Sequence, residues 1–264
     1  MPEGHTVHRL AREHAALLAG RPVRLASPQG RFAAGAALLD GRVLTRTEPH
    51  GKHLWYVFEG GLSLHVHLGI YGTWARGSGP PPAPVGALRL RMTSGDDWLD
   101  LRGPNACEVH TEAERAAVLA RLGPDPLRRD ADPARAWARV RRSRSEIGRL
   151  LMDQSVLAGV GNVYRAEVLF RRRLSPYLPG NALGREDWDG LWVETVSLMR
   201  AGVRAGRIVT TRPEHRARRS GLVDREDAHY VYRRAGEACR VCDTEVRTRV
   251  LAGRNLFWCP VCQA

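Results

Sequence analysis

Three groups of residues in this 264-residue chain carry reactive side chains at spacings that chemistry could use. The first is Cys239-Arg240-Val241-Cys242 together with Cys259-Pro260-Val261-Cys262, two Cys-x-x-Cys pairs with sixteen residues between them. Four thiolates so spaced match a tetrahedral zinc ribbon. The alternative, two disulfides, needs an oxidising compartment, and the polar start Met1-Pro2-Glu3-Gly4-His5-Thr6 carries no secretory signal. Four sulfurs leave no open coordination position, so this zinc would hold shape and do no chemistry. Cys107 is left over and reads as a small buried hydrophobe.

The second group is Pro2-Glu3. Removal of an initiator Met before a small residue exposes Pro2 as a secondary amine, which titrates near pH 8 and so can act as a nucleophile. A following helix lowers it further through its positive end, and Glu3 supplies a carboxyl to exchange protons. Pro-Glu is equally a good helix-entry sequence. The third is Lys52. Of 41 basic side chains it is the only lysine, all others being arginine. A lysine can be tuned to release a proton and an arginine cannot, so Lys52 is either an acid/base group or an ordinary surface residue in an arginine-rich composition.

Two further segments suggest anion binding. Gly253-Arg254-Asn255 lies between the cysteine pairs, which puts Arg254 at the tip of a zinc hairpin with Asn255 beside it, either gripping a phosphate or simply solvated. In 148–173 a Gly-rich turn, Ala158-Gly159-Val160-Gly161-Asn162, separates two helical stretches. Asn162 would cap the second helix, whose exposed amides form a phosphate site, or the turn is only a tight helix connection.

The elements that must position these groups follow from periodicity. Residues 5–20 read as a helix ended by Gly20. Strand-like runs follow at 21–27, 42–47, 53–58, 62–68, 87–92 and 97–101. Leu62, Leu64, Val66 and Leu68 alternate with Ser63, His65 and His67, which predicts a half-buried antiparallel sandwich. From Glu112 the period becomes helical, at 112–121, 133–141, 145–153, 161–173 and 186–204, with prolines crowding a junction near 125. Arg212 to Asp227 is charged and aperiodic and reads as a mobile loop. The expectation is an α+β chain with a β-sandwich domain over 1–122, a helical domain over 123–210, a linker over 211–228 and a zinc ribbon over 229–264.

A net charge of +13, spread along the whole length, favours a polyanionic partner, and nucleic acid is the commonest. No basic amphipathic helix or polybasic tail suggests a membrane surface, and no apolar run approaches the roughly 18 residues a span needs. A cytoplasmic location is the default expectation.

Five segments in order now form a pattern: Met1 to Arg9, the Gly51-Lys52-His53-Leu54 turn, His67-Leu68-Gly69-Ile70-Tyr71-Gly72, Asp153-Gln154 through Asn162-Val163-Tyr164, and the Gly253-Arg254 finger. Together they resemble the formamidopyrimidine-DNA glycosylase and endonuclease VIII family over nearly the whole chain, most of all the endonuclease VIII-like branch of high-GC bacteria. The resemblance implies a bifunctional DNA glycosylase and abasic-site lyase that acts on oxidised bases in base-excision repair, with a helix-two-turn-helix domain and one structural zinc. It implies that Pro2 attacks the sugar C1′ of an extruded nucleotide to form a Schiff base, with β- and δ-elimination to follow. Glu3 would handle protons at the sugar, Lys52 would assist cleavage and elimination, and Arg254 and Asn162 would hold the flanking phosphate.

The Ile70-Tyr71 pair resembles the wedge of the endonuclease VIII branch, where the oxidised-purine branch carries a Met, and Asp100-Leu101-Arg102-Gly103-Pro104 also departs from the purine pattern. Oxidised pyrimidines are therefore the expected substrates, with Ile70, Tyr71, Arg102, Asn162 and Asn255 on the DNA. The partner is double-stranded DNA containing oxidised bases or abasic sites, bound by a monomer near the bacterial nucleoid. The readings against this are an oxidised-purine glycosylase and a non-catalytic zinc-ribbon protein that only binds damaged DNA.

Overall fold

The computed structural model describes residues 2–264. Met1, whose removal the nucleophile expectation requires, lies outside the described residues. The chain divides into two compact units, the first built mainly from residues 7–121 with Glu3, the second from 122–264 with the short segment Gly4–Thr6.

Helix α1 (Gly4–Leu18), part of the first unit from Val7 on, buries Val7, Ala11 and Leu18 on one face, and Gly20 takes the left-handed conformation expected of a helix stop, with φ 78°. Two four-stranded antiparallel sheets follow. One has the order β1 (Arg24–Ala26), β6 (Leu88–Ser94), β7 (Asp97–Arg102), β5 (Thr73–Ser78). The other runs β2 (Leu44–His50), β3 (His53–Phe58), β4 (Ser63–His67), β8 (Ala106–His110). Leu54, Tyr56, Phe58, Leu64 and Val66 from one sheet and Leu90, Met92, Leu99 and Leu101 from the other form a single core. This is the sandwich that the alternation predicts.

Some expectations need correction. Helix α2 (Ala33–Leu39) has no amphipathic signature beyond Ala36 and Leu39, and β5 is a mostly exposed edge strand with no apolar alternation, so neither shows in the hydrophobic pattern. Strand β8 does alternate, with Cys107 and Val109 on the core, but its five residues are too short a run to stand out. The half-buried reading of β4 is incomplete: Ser63 and His65, on its polar side, are buried as well. Helix α3 (Glu112–Arg121) follows β8 directly, and its Arg115 is buried, with both Glu112 oxygens and Glu48 on its guanidinium. The second face of this sheet is therefore a polar layer enclosed by the protein itself.

In the second unit, α4 (Pro133–Val140) starts with Pro133 at its first position and Asp132 accepting from the Ala134 amide, a regular cap. Helix α5 (Ile147–Leu150) is one turn only, where a longer helix over 145–153 is expected. Helices α6 (Asn162–Arg171) and α7 (Arg185–Ala205) complete the helical core around Tyr164, Leu169, Trp188, Leu191 and Met199. A final hairpin, β9 (Arg247–Leu251) and β10 (Arg254–Trp258), packs on α6 through Val163, Ala166, Phe170, Val246 and Phe257. The ribbon and the helices thus share one compact unit.

The aperiodic stretch 212–227 is anchored at both ends. Asp227 accepts from the Ala217 amide, Thr211 Oγ1 donates to the Asp227 carbonyl, and the Arg212 amide donates to the Tyr230 hydroxyl. Regular structure in it is confined to single 3-10 turns at Pro213–His215 and, at its end, Glu226–Ala228.

His14 shows how tightly the first core is drawn. Its Nδ1 lies 2.6 Å from the Tyr56 hydroxyl, and its ring meets the Trp74 ring edge-on with centroids 5.0 Å apart. Burial raises the Tyr56 phenol well above its ordinary value and keeps it protonated. Burial, helped by Arg76, pushes His14 down to about 3. The unfolded chain therefore takes up a proton near pH 6.5 that the folded chain refuses until about pH 3, and stability present above pH 6.5 is lost as pH falls through that window. We expect this residue alone to cost up to about 2 kcal/mol at pH 5. Urea midpoints measured at pH 7.5 and pH 5 should fall more steeply for the wild type than for His14→Gln.

Candidate active site and zinc finger

Pro2 is half-buried, and Glu3 behind it is fully buried, at 0 % exposure, in the N-cap position of α1. The Glu3 backbone is extended, with φ −120° and ψ −179°, so its carbonyl accepts from the Val7 amide while its side chain makes no capping bond. The next residue, Gly4, has no room for a side chain: a Cβ there would sit 2.7 Å from Met199 Cε and 3.0 Å from Gly159 Cα. The Gly4 amide donates to the Gly159 carbonyl at 2.9 Å. The Glu3–Gly4 peptide unit is thereby held at both its carbonyl and its amide.

Lys52 stands in the two-residue turn that joins β2 to β3, where His50 pairs with His53. Gly51 takes the first central position with φ 59°, which this hairpin turn reserves for glycine. Lys52 is half-buried, and its charge acts on His67: burial first, and Lys52 second, hold His67 below its ordinary value.

The loop 68–72 after β4 is a tight turn closed by the Gly72 amide donating to the Leu68 carbonyl at 2.9 Å. A Cβ on Gly72 would meet that same oxygen at 2.3 Å, so the turn requires glycine. Its apex presents Ile70 at 46 % and Tyr71 at 84 % exposure, the latter very high for an aromatic side chain. Arg102 is already engaged: its guanidinium donates to Asp100 Oδ2 at 2.9 Å, and Arg91 grips the same buried carboxylate with two bonds. The Arg102 side chain stays 24 % exposed while it makes this pair.

In the second unit, the expected cap role of Asn162 is corrected. Gly161 is the N-cap and Asn162 is the first helical residue, buried at 6 % exposure. Its Nδ2 donates to the Asn255 carbonyl at 2.9 Å, and its Oδ1 accepts from Arg165. Arg165, fully buried, also donates to the Leu251 carbonyl at 3.2 Å. The Gly-rich turn before α6 is not an open surface either. Gln154 donates to the Met152 and Val160 carbonyls and accepts from the Gly159 amide, so one side chain closes the loop.

Arg254 is not at the hairpin tip, as the sequence suggests, but on the first residue of β10, paired with Leu251. The tip is Ala252-Gly253, with φ 53° and 69°, the left-handed pair of a type I′ turn. Arg254 is half-buried and Asn255 exposed, its carbonyl held from below by Asn162. Sequence reasoning missed Arg165, for which no local signal distinguishes a buried arginine among forty. It also missed Gln154, although a polar residue at the start of a Gly-rich turn is a signal of loop closure.

The four cysteines converge. One sulfur from each of Cys239, Cys242, Cys259 and Cys262 lies within 4.8 Å of the others, with separations of 3.9 Å for Cys239–Cys262 and 3.4 Å for Cys242–Cys259. A zinc with sulfurs at about 2.3 Å sets them roughly 3.8 Å apart, so the set fits a structural zinc. All four are free of disulfides.

Family models match three segments: the formamidopyrimidine-DNA glycosylase N-terminal domain over residues 1–105, its H2TH domain over 122–213, and the zinc finger found in FPG and IleRS over 236–264. The endonuclease 8 1 of Mycobacterium tuberculosis is 54% identical over 267 aligned residues, covering 100% of both chains. The chain belongs to the formamidopyrimidine-DNA glycosylase and endonuclease VIII family. A second family member, the formamidopyrimidine-DNA glycosylase of Thermus thermophilus, is 32% identical over 86% of this chain and 85% of its own. The crystal structure of the MutM (Fpg) protein from Thermus thermophilus superposes with a TM-score of 0.80 at 28% identity, covering 99% of this chain and 98% of that one. The family's three parts, a β-sandwich with its helix, an H2TH helical region and a cysteine zinc site, are the parts described above.

The grip of Asn162 on the hairpin makes a direct prediction. Asn162→Ala leaves the Asn255 carbonyl short of a donor and should cost about 1–3 kcal/mol locally. Hydrogen exchange of the amides of residues 251–255 should speed up by roughly tenfold or more, with the zinc content unchanged.

Proposed function

We propose that this protein is a bifunctional DNA glycosylase and abasic-site lyase that removes oxidised bases, pyrimidines before purines, as a monomer in base-excision repair on the bacterial chromosome. The observation that carries the reading is Glu3, a carboxylate enclosed completely by protein and joined directly to a half-buried Pro2. Burying a charge is costly, and a chain keeps such a group where chemistry needs it.

In this reading the freed Pro2 nitrogen attacks C1′ of an extruded nucleotide as the glycosidic bond breaks, and the base leaves with its bonding electrons. The amine sheds its proton, and the C1′–O4′ ring bond then breaks, O4′ leaving with the bonding electrons and taking up a proton as the C1′–N bond becomes the iminium. Glu3 exchanges protons with the sugar. Lys52 delivers or removes a proton at the sugar and base, which a permanently charged arginine does poorly. Loss of the 2′ proton from the iminium expels the 3′ phosphate, and the second elimination expels the 5′ phosphate. Arg254 steadies the flanking phosphate with two parallel donors.

Ile70 and Tyr71 support the pyrimidine preference. They are the exposed apolar pair on a glycine-locked turn, shaped to enter the base stack where the lesion has left it. The zinc, held by Cys239, Cys242, Cys259 and Cys262, supplies rigidity and takes no part in bond making. No helix among the described residues is long and apolar enough to cross a membrane.

Borohydride reduction on abasic DNA tests the class. Wild-type protein with a free Pro2 should be trapped, and peptide mapping should place the adduct on Pro2; absence of both adduct and strand cleavage would leave a binding module. Lys52→Arg should lower the single-turnover excision rate by about 100-fold or more with DNA affinity little changed. Comparing thymine glycol with 8-oxoguanine opposite cytosine decides the substrate branch, and faster excision of 8-oxoguanine would reverse the order of preference.

A further inference from the structure

Strands β4 and β8 carry a second set of ligand-type side chains that the glycosylase reading leaves unused. His65 and Glu108 are direct cross-strand partners, and His110, two residues past Glu108, lies on the same face of the sheet. The His65 and His110 rings stack with centroids 4.6 Å apart, and both residues are buried, at 4 % and 9 % exposure. His65 Nδ1 is enclosed without a hydrogen-bond partner, and Glu108 Oε2 faces it at 3.6 Å. The same oxygen lies 3.3 Å from His110 Nε2. One ligand atom from each of the three residues falls within 4.8 Å of the other two.

We propose that His65 Nδ1, His110 Nε2 and the Glu108 carboxylate form a second metal site, for a first-row transition dication and above all zinc. Nitrogen and oxygen ligands about 2.0–2.2 Å from a tetrahedral zinc stand roughly 3.3–3.5 Å apart; the two Glu108 separations are close to this, and the His65 and His110 rings, 24° from parallel, turn to bring both nitrogens onto one ion. Two imidazoles with one carboxylate suit zinc and disfavour calcium or magnesium, which take oxygen shells. Glu108 is 59 % exposed, so the ion reaches the site from solvent on that side and completes its shell with water.

The surroundings fit a ligand histidine. His53 Nδ1 lies 2.9 Å from His65 Nε2, so a His65 that binds metal through Nδ1 donates its remaining N–H to His53 and is fixed in that tautomer. At His110 the proton has to move. Trp55 Nε1 donates to His110 Nδ1 at 3.4 Å, which leaves the neutral ring's proton on Nε2 beside Glu108. Metal binding transfers that proton to Nδ1, and the long Trp55 contact gives way. The site would tie edge strand β8 to β4 across the register of the sheet, a staple distinct from the thiolate finger.

Elemental analysis of the full-length protein, equilibrated with zinc and freed of excess, tests this. We expect about two zinc ions per chain, falling to about one after mild chelation that spares the four-thiolate site. Glu108→Gln, a change at an exposed position that leaves the fold intact, and His110→Gln should each hold about one. Cobalt provides a second readout: the thiolate site gives a sulfur-to-metal charge-transfer band, and the second equivalent should add ligand-field absorption without increasing that band. A wild type that saturates at one ion, or variants that still bind two, would overturn the proposal.

Discussion

The second unit depends on one buried carboxylate. Glu167, in the middle of α6 and fully enclosed, accepts hydrogen bonds from three consecutive backbone amides, those of Tyr230, Val231 and Tyr232, at 2.8–2.9 Å, and from the Thr210 hydroxyl. An ionised group in an apolar interior is tolerated only when its lone pairs are filled, and here four donors fill them. The bonds hold the chain where it returns from 212–227, and the aromatic side chains of Tyr230 and Tyr232 then pack against Phe170 and Phe257. From there the chain enters the first cysteine pair. The ribbon is therefore seated on α6 before any metal is considered, and the metal fixes its internal shape. At the far end, Gln263 repeats the device on a smaller scale, donating to the Leu174 carbonyl at the end of the same helical segment and accepting from the Cys259 amide.

This arrangement explains what could and could not be read from the residues. The cysteine spacing, the period-two runs of β3, β4, β6 and β7, and the helices α1, α3, α4, α6 and α7 were legible because each rests on local periodicity or ligand spacing. The joining of helices and ribbon was not. It rests on Glu167, which in the string Tyr-Arg-Ala-Glu-Val looks like any solvated helix glutamate, yet contacts residues more than sixty positions away. Arg165 and Asn162 hid for the same reason. Polar residues at helical spacing are indistinguishable from a wet face until their distant partners are known.

The first unit shows the complementary limit. Ser63, His65 and His67 alternate with Leu64 and Val66, and alternation normally means water on the polar side. Here much of the polar side is enclosed, with Glu108 left exposed, and His53, Trp55, His65 and His110 form a run of stacked rings. Burial and the neighbouring imidazoles push His53 and His65 down to about 3, so these two rings are neutral at working pH. A sandwich of this size gains little from solvating that face and more from packing it. The sequence pattern gives the phase of the strand but cannot say which face has a roof.

The two cations to which the proposed function gives chemistry sit at the same kind of place, beside a two-residue hairpin turn whose conformation admits few residues. Lys52 occupies the second position of the turn begun by Gly51, and Arg254 is the first strand residue after Ala252-Gly253. A two-residue turn fixes strand register on both sides, so the side chains beside it inherit the precision of the sheet and not the freedom of a loop. That is what a proton-transfer or phosphate group requires, since a displacement of about 1 Å costs roughly 100-fold in rate. The difference in residue type follows from the task. On the proposed function, a phosphate is held well by a planar guanidinium that never gives up its charge, and arginine, abundant everywhere in this chain, would serve at 254. Moving a proton demands a group that can change state, and the one lysine among forty arginines, at position 52, would supply it on that same reading.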